Sequence, residues 1–78
     1  MTTVEIEYCV PCGLRENALT TADRLLAETG RALDDLRLIP GDSGVFTVAV
    51  DGEIVFDKDE QGYDIESIVE AVTSRATA

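Results

Sequence analysis

The sequence predicts a two-layer α/β domain: a four-stranded mixed sheet with both helices on one face. Three observations support this fold class: the order of the hydrophobic patterns, the alternation within the first strand, and an Asp-Gly turn between two apolar runs. Along the chain these patterns follow the order β-α-β-β-β-α. A chain of 78 residues can bury only one core of this kind, so we expect a single domain over residues 1–78.

The first predicted strand, residues 3–8, alternates between apolar and acidic side chains. A strand buried on both faces would be apolar throughout, so the alternation indicates a sheet with one covered face and one open face. The covered face would carry Val4, Ile6 and Tyr8, and the open face would carry Glu5 and Glu7, either of which could pair with Arg37.

A helical pattern opens near Gly13 and ends at Gly30, a residue typical of helix C-termini. A short second strand, residues 35–39, stops at the turn cluster 40–44. A strand-helix-strand order favours a right-handed parallel crossover, so these two strands should lie parallel. The apolar stripe of the helix comprises Leu14, Ala18, Ala22, Leu25, Leu26 and Thr29.

The second half of the chain predicts a hairpin and a closing helix. Strands at 45–50 and 53–57 flank Asp51-Gly52, and this dipeptide between apolar runs is the strongest short hairpin signal. Residues 58–63 read as a polar loop, after which Asp64 can cap the last helix. The apolar stripe of that helix comprises Ile65, Ile68, Val69 and Val72.

Reactive chemistry is concentrated in Cys9-Val10-Pro11-Cys12, a C-x-x-C motif where the first strand meets the helix. Two thiols at this spacing can close as a disulfide, and the helix N-terminus would stabilise a thiolate. Arg15 favours the thiolate and Glu7 opposes it, so we expect a modest lowering of the thiol pKa. The motif could also be half of a zinc site or a pair of core cysteines, but its strand-helix-strand setting favours redox chemistry.

Charge and composition exclude several classes of function. Sixteen acidic residues against six basic ones give a net charge of −10, which disfavours nucleic-acid and membrane partners. The chain has no histidine and no Gly-rich phosphate loop, so we expect no hydrolytic or nucleotide-dependent activity, no cofactor and no bound metal. The N-terminus lacks the features of a signal peptide, and we therefore expect a cytoplasmic protein. The acid-rich, lysine-poor composition is typical of a halophile, with an ordinary acidic protein as the alternative.

The predicted element order is that of a minimal thioredoxin-like domain, with the first strand in the middle of the sheet and the C-x-x-C at its C-terminal end. Over nearly its whole length the sequence also resembles the SelW-like proteins, the selenoprotein W/T/H or Rdx family. The resemblance rests on the strand ending in Tyr8-Cys9, the Gly13 that follows the C-x-x-C, the Gly-x-Phe-x-Val run at Gly44, Phe46 and Val48, the Asp51-Gly52 hairpin and the closing helix.

The resemblance implies a monomeric thiol redox protein, a candidate thiol–disulfide oxidoreductase, with Cys9 and Cys12 as its catalytic pair. Pro11, Gly13 and Phe46 would be neighbours of the redox site, although Phe46 could instead be a core residue. The partner would be a protein or a low-molecular-weight thiol or disulfide. The family's selenocysteine, where present, stands at the position of Cys12, and a thiol there should react more slowly than a selenol.

Two assignments of the attacking sulfur are open. We expect Cys9 to be exposed at the strand end and Cys12 to be shielded in the first turn of the helix, which makes Cys9 the attacker and Cys12 the resolving thiol. The position of the selenocysteine argues for the reverse. Two other functions are also open: a non-catalytic module whose open face docks a protein, and a dimer bridged by zinc, because one chain supplies only two of the four ligands.

Overall fold

A computed structural model describes residues 2–76. The elements in chain order are β1 (Thr3–Cys9), α1 (Arg15–Thr29), a 3₁₀ turn (Gly30–Ala32), β2 (Asp35–Gly41), β3 (Phe46–Val50), β4 (Glu53–Asp57), α2 (Lys58–Gln61) and α3 (Ile65–Ala76). The four strands form one sheet in the order β2-β1-β3-β4. Strand β1 lies in the interior of this sheet, parallel to β2 and antiparallel to β3, and β4 completes the sheet as the antiparallel partner of β3. The predicted mixed sheet is confirmed.

Both long helices cover the same face of the sheet. Helix α1 packs on β1 and α3, and α3 packs on β3 and β4. Val4 and Ile6 are completely buried beneath them, whereas Glu7 on the other face of β1 is exposed, so the predicted covered and open faces are confirmed. The core that results contains Val4, Ile6, Ala18, Ala22, Leu25, Phe46, Val48, Val50, Phe56, Ile68, Val69 and Val72.

The open face carries exposed charged side chains. Arg37 Nη1 lies 3.9 Å from Glu5 Oε2, and Arg37 Nη2 lies 3.2 Å from Asp35 Oδ2. Of the two carboxylates predicted as partners of Arg37, that of Glu5 is therefore the one that lies close to it. Ion pairs at such exposed positions contribute about 0–1 kcal/mol, so they do little to hold the sheet together.

Two turns have the geometry that the sequence predicts. Asp51 and Gly52 have φ angles of 52° and 86°, the left-handed pair that a two-residue hairpin turn requires. The Asp64 carboxylate caps α3, because its Oδ1 accepts a hydrogen bond of 3.1 Å from the Glu66 N–H. The closing helix therefore starts where the sequence places its cap.

Three element boundaries differ from the prediction. Strand β2 continues past Ile39 to Gly41 and includes Pro40, which is tolerated because β2 is an edge strand. Strand β3 begins at Phe46 rather than at residue 45. Helix α1 begins at Arg15 rather than near Gly13, so the C-x-x-C precedes the helix instead of entering its first turn.

Two further predictions were wrong in local detail. The predicted polar loop at 58–63 contains one helical turn, α2, which forms because Asp57 Oδ1 accepts a hydrogen bond of 2.9 Å from the Asp59 N–H. Leu26 was assigned to the apolar stripe of α1 but is 53% exposed. Thr21 is completely buried, because it lies at helical spacing between Ala18 and Leu25.

Candidate functional site

The two cysteines lie at the C-terminal end of an interior strand of the sheet. Cys9 is the last residue of β1, and Cys12 lies in the following turn; residues 9–13 are called the redox turn from here on. The Gly13 N–H donates a hydrogen bond of 3.3 Å to the Val10 carbonyl, and Gly13 has a φ of 77°, which glycine adopts without steric strain. A disulfide joins Cys9 to Cys12 across a Cα–Cα distance of 5.4 Å, well within the normal range.

The connection from β2 to β3 anchors the start of the redox turn. The Cys9 N–H donates to the Val45 carbonyl at 2.8 Å, and the Val10 N–H donates to the Gly41 carbonyl at 3.1 Å. The same connection closes on itself, because the Val45 N–H donates to the Asp42 carbonyl at 3.2 Å. Backbone hydrogen bonds from a segment more than 30 residues away in sequence therefore hold the cysteine motif in place.

The two cysteine residues differ sharply in exposure. Cys9 is completely buried, whereas Cys12 is exposed, as are its neighbours Val10 and Pro11. The expectation that Cys9 is exposed and Cys12 shielded was therefore wrong. The reason is the late start of α1: the helix begins only at Arg15, so Cys12 lies in an exposed turn, while Cys9 remains paired within the sheet.

Cys12 lies just before the N-terminus of α1, which begins at Arg15. Arg15, an exposed cation at the start of α1, is engaged in no ion pair within residues 2–76. The first turn of α1 therefore places one cation, Arg15, and one carboxylate, Glu16, close to Cys12 in the chain.

Phe46, predicted either as a core residue or as a wall of the site, is completely buried. Its ring lies edge-on to that of Tyr63, with centroids 5.4 Å apart. The Tyr63 hydroxyl is 2.8 Å from Oγ1 of buried Thr21, which fixes the segment before α3 against α1. This burial favours the core alternative for Phe46.

Sequence reasoning missed the contribution of Tyr63, because the residue falls in a segment that was predicted to be a loop. A signal was nevertheless present. Tyr63 directly precedes the cap Asp64, and an apolar residue in that position commonly packs against the fourth residue of the helix, here Ile68. That pattern predicts an ordered aromatic ring at the start of α3.

Within residues 2–76, no three His, Cys, Asp or Glu side chains come together in a group that could hold a metal ion. No helix in the same range combines the length and hydrophobicity needed to cross a membrane.

Comparison with protein families shows to which family the chain belongs. The sequence model of the Rdx family matches residues 3–74. The chain belongs to the Rdx family. The predicted resemblance to SelW-like proteins is thus confirmed, while the suggested halophilic origin stays a prediction.

Solved structures similar to this Rdx chain agree with the fold. A crystal structure of a protein from Bordetella parapertussis is 26% identical, with a TM-score of 0.88 over 95% of this chain and 96% of that one. A selenoprotein W-related protein from Vibrio cholerae is 18% identical, with a TM-score of 0.89 over 96% of both chains. No curated protein sequence matches this chain. The second similarity shows that the fold is that of a selenoprotein W-related protein.

Proposed function

We propose that this Rdx chain is a small thiol redox protein that exchanges electrons through Cys9 and Cys12. The observation that carries the proposal is the disulfide at the end of an interior strand, between one exposed and one completely buried cysteine residue. Such a pair provides an exposed nucleophile and a resolving thiol held within bonding reach. Structural cysteines in a core would both be buried, which is not the arrangement found here.

In the proposed reaction, the Cys12 thiolate attacks a partner disulfide. The bond from Cys12 Sγ to one partner sulfur forms as the partner's S–S bond breaks, and the departing thiolate takes a proton from water. The Cys9 thiolate then attacks Cys12 Sγ and displaces the second partner thiolate. Two electrons pass from the dithiol to the partner, and the Cys9–Cys12 disulfide forms.

Exposure supports Cys12 as the attacking sulfur. An attacking thiolate must approach the partner S–S bond along its axis, and a completely buried sulfur cannot do so without local opening of the fold. The resulting assignment reverses the expectation based on strand position. It agrees with the position of selenocysteine in the family, which argued for Cys12.

The proposal includes a protein or a low-molecular-weight thiol or disulfide as partner, a monomeric state and a cytoplasmic setting. All the electrons move between sulfur atoms, so the reaction requires no cofactor. The net charge of −10 supports partners other than nucleic acids and anionic membranes.

Mass spectrometry of the protein before and after mild oxidation tests the proposal. We expect the monomer to lose the mass of two protons and two electrons, and to regain it on reduction. Free-thiol counting and metal analysis on the same samples separate the alternatives. Covalent dimers in place of an internal disulfide, or zinc at one equivalent per two chains, would contradict the redox assignment.

A further inference from the structure

A polar groove lies between the first turns of α1 and the segment that leads into α3. Its volume is about 220 Å³, and its walls are formed by Glu16, Asn17, Thr20 and Tyr63. Glu16 belongs to the first turn of α1, the helix that begins directly after the redox turn. One wall residue of the groove, Glu16, is therefore four residues from Cys12 in the chain.

The walls of this groove have the chemistry of a cation site. The Glu16 side chain is exposed, and within residues 2–76 no ion pair engages it. Tyr63 adds an aromatic ring, which its hydroxyl contact with Thr21 holds in place. A carboxylate and an aromatic ring both attract an organic ammonium group. Arg15, the neighbouring cation, does not line the groove.

We propose that this groove binds the ammonium group of a small disulfide substrate and so makes the redox site prefer cationic disulfides. The inference rests on the proposed thiol–disulfide exchange and names the substrate class for it. The groove is smaller than the roughly 300–1,000 Å³ typical of sites for drug-sized ligands, so the proposed ligand is a small group.

The chemistry of the step is unchanged by the groove. The Cys12 thiolate forms a mixed disulfide with one half of the substrate, and the first aminoalkyl thiol leaves. Attack by Cys9 releases the second aminoalkyl thiol and closes the protein disulfide. One substrate disulfide and one protein dithiol thus yield two small thiols and one protein disulfide. An ammonium group held at Glu16 would keep the substrate's S–S bond near Cys12 during the first attack.

The test compares three probe disulfides that differ in charge: cystamine, hydroxyethyl disulfide and dithiodipropionate. The rate at which each oxidises the reduced protein is divided by its rate with dithiothreitol, which removes differences in intrinsic reactivity. We expect the normalised rates to fall from the cationic to the neutral to the anionic probe, by about two- to fivefold per step, the range of exposed charge pairs. The preference should shrink as salt is added.

Two charge-neutralising variants separate the groove from the overall charge of the protein. Glu16→Gln should lower the ratio of the normalised cystamine rate to the normalised hydroxyethyl disulfide rate about two- to fivefold; the ratio cancels any change in the reactivity of Cys12 itself. Asp23→Asn removes another exposed carboxylate from the same helix, at a position outside the groove, and should leave this ratio unchanged.

Each outcome decides the question. Equal falls in this rate ratio in the two variants would assign the preference to net charge and overturn the groove proposal, as would the absence of any preference. Failure of all three probes to oxidise the protein would instead overturn the redox function on which the groove proposal rests. The two failures are therefore distinguishable within one experiment.

Discussion

At the scale of single residues, access to solvent separates two cysteines that share one motif. Cys12 lies in an exposed turn, whereas Cys9 is completely buried at the end of β1. A reagent that reaches Cys9 must wait for the sheet end to open, and that opening carries a free-energy cost. The chemical difference between the two thiols is thus a consequence of the backbone around them.

Alkylation of single-cysteine variants measures this difference. The Cys9→Ser protein, which keeps Cys12, should react with iodoacetamide about tenfold or more faster than the Cys12→Ser protein, which keeps Cys9, because only Cys9 requires local opening. In denaturant the two rates should become similar, which serves as the control. Faster reaction of the Cys12→Ser protein in its native state would restore Cys9 as the attacker.

Gly13 provides a second prediction at this scale. Its φ of 77° lies in the left-handed region, yet a Cβ built there meets nothing within 4 Å, so Gly13→Ala introduces backbone strain without a clash. We expect a loss of about 1–2 kcal/mol in the free energy of unfolding, measured by denaturant titration.

Gly30 is the matched control for that substitution. A Cβ there also meets nothing within 4 Å, but the φ of −54° is helical. Gly30→Ala should therefore be neutral or stabilise the protein by up to about 1 kcal/mol. Equal destabilisation by the two substitutions would show that backbone conformation is not the deciding factor.

At the scale of elements, the sheet separates a buried face from a face that carries charge. Ile6 is completely buried beneath the helices, while Glu5 and Glu7 extend from the opposite face of the same strand. Ile6→Ala should lower the free energy of unfolding by about 2–4 kcal/mol, through lost burial and the cavity that remains. Glu5→Gln and Glu7→Gln should each change it by no more than about 0.5 kcal/mol at moderate salt.

Denaturant titration of the three variants checks this prediction under one set of conditions. The two glutamine variants act as internal controls for substitution within the same strand. Similar losses at all three positions would mean that both faces of β1 are covered, which contradicts the two-layer arrangement.

The elements also show which structural features local sequence patterns can predict. The hairpin at Asp51-Gly52 and the cap at Asp64 were predictable because the residues that determine them are neighbours in the chain. The alternation of apolar and acidic side chains along β1 likewise indicates which face of the strand is buried and which is exposed. Sequence alone was therefore sufficient for the sheet, its open face and the start of the last helix.

The conformation of the redox turn was not predictable in the same way. It depends on hydrogen bonds from Cys9 to Val45 and from Val10 to Gly41, which no local pattern encodes. The local pattern alone predicts a helix that opens near Gly13 and has Cys12 in its first turn. The motif identified the reactive residues, but the distant β2–β3 connection determines which one is exposed.

At the scale of the whole molecule, the acidic residues outnumber the basic residues that could neutralise them. Arg24 contacts both Glu28 and Glu66. Its hydrogen bond with Glu28 is the larger cause, and that with Glu66 the next, of a pKa raised above the ordinary arginine value. Arg75 is paired with Glu53. Even so, six basic residues face sixteen acidic ones, so self-repulsion remains across the surface.

Salt should therefore stabilise the protein. We expect the melting temperature to rise as salt is added at neutral pH and to level off once the repulsion is screened, over roughly 0.01–1 M ionic strength. Calorimetry at several concentrations of sodium chloride provides the measurement. A melting temperature that does not respond to salt would remove the halophile prediction, because that prediction depends on screened repulsion.

The short span of the Cys9–Cys12 bond limits how strongly loop closure alone can couple redox state to folding. The bond links residues three apart in sequence, so it closes a very small loop. In the chain-entropy account, a loop of this size restricts the unfolded chain by only about 2 kcal/mol, less than a longer loop would. By thermodynamic linkage, the part of the coupling between folding and the midpoint potential that comes from loop closure is therefore small.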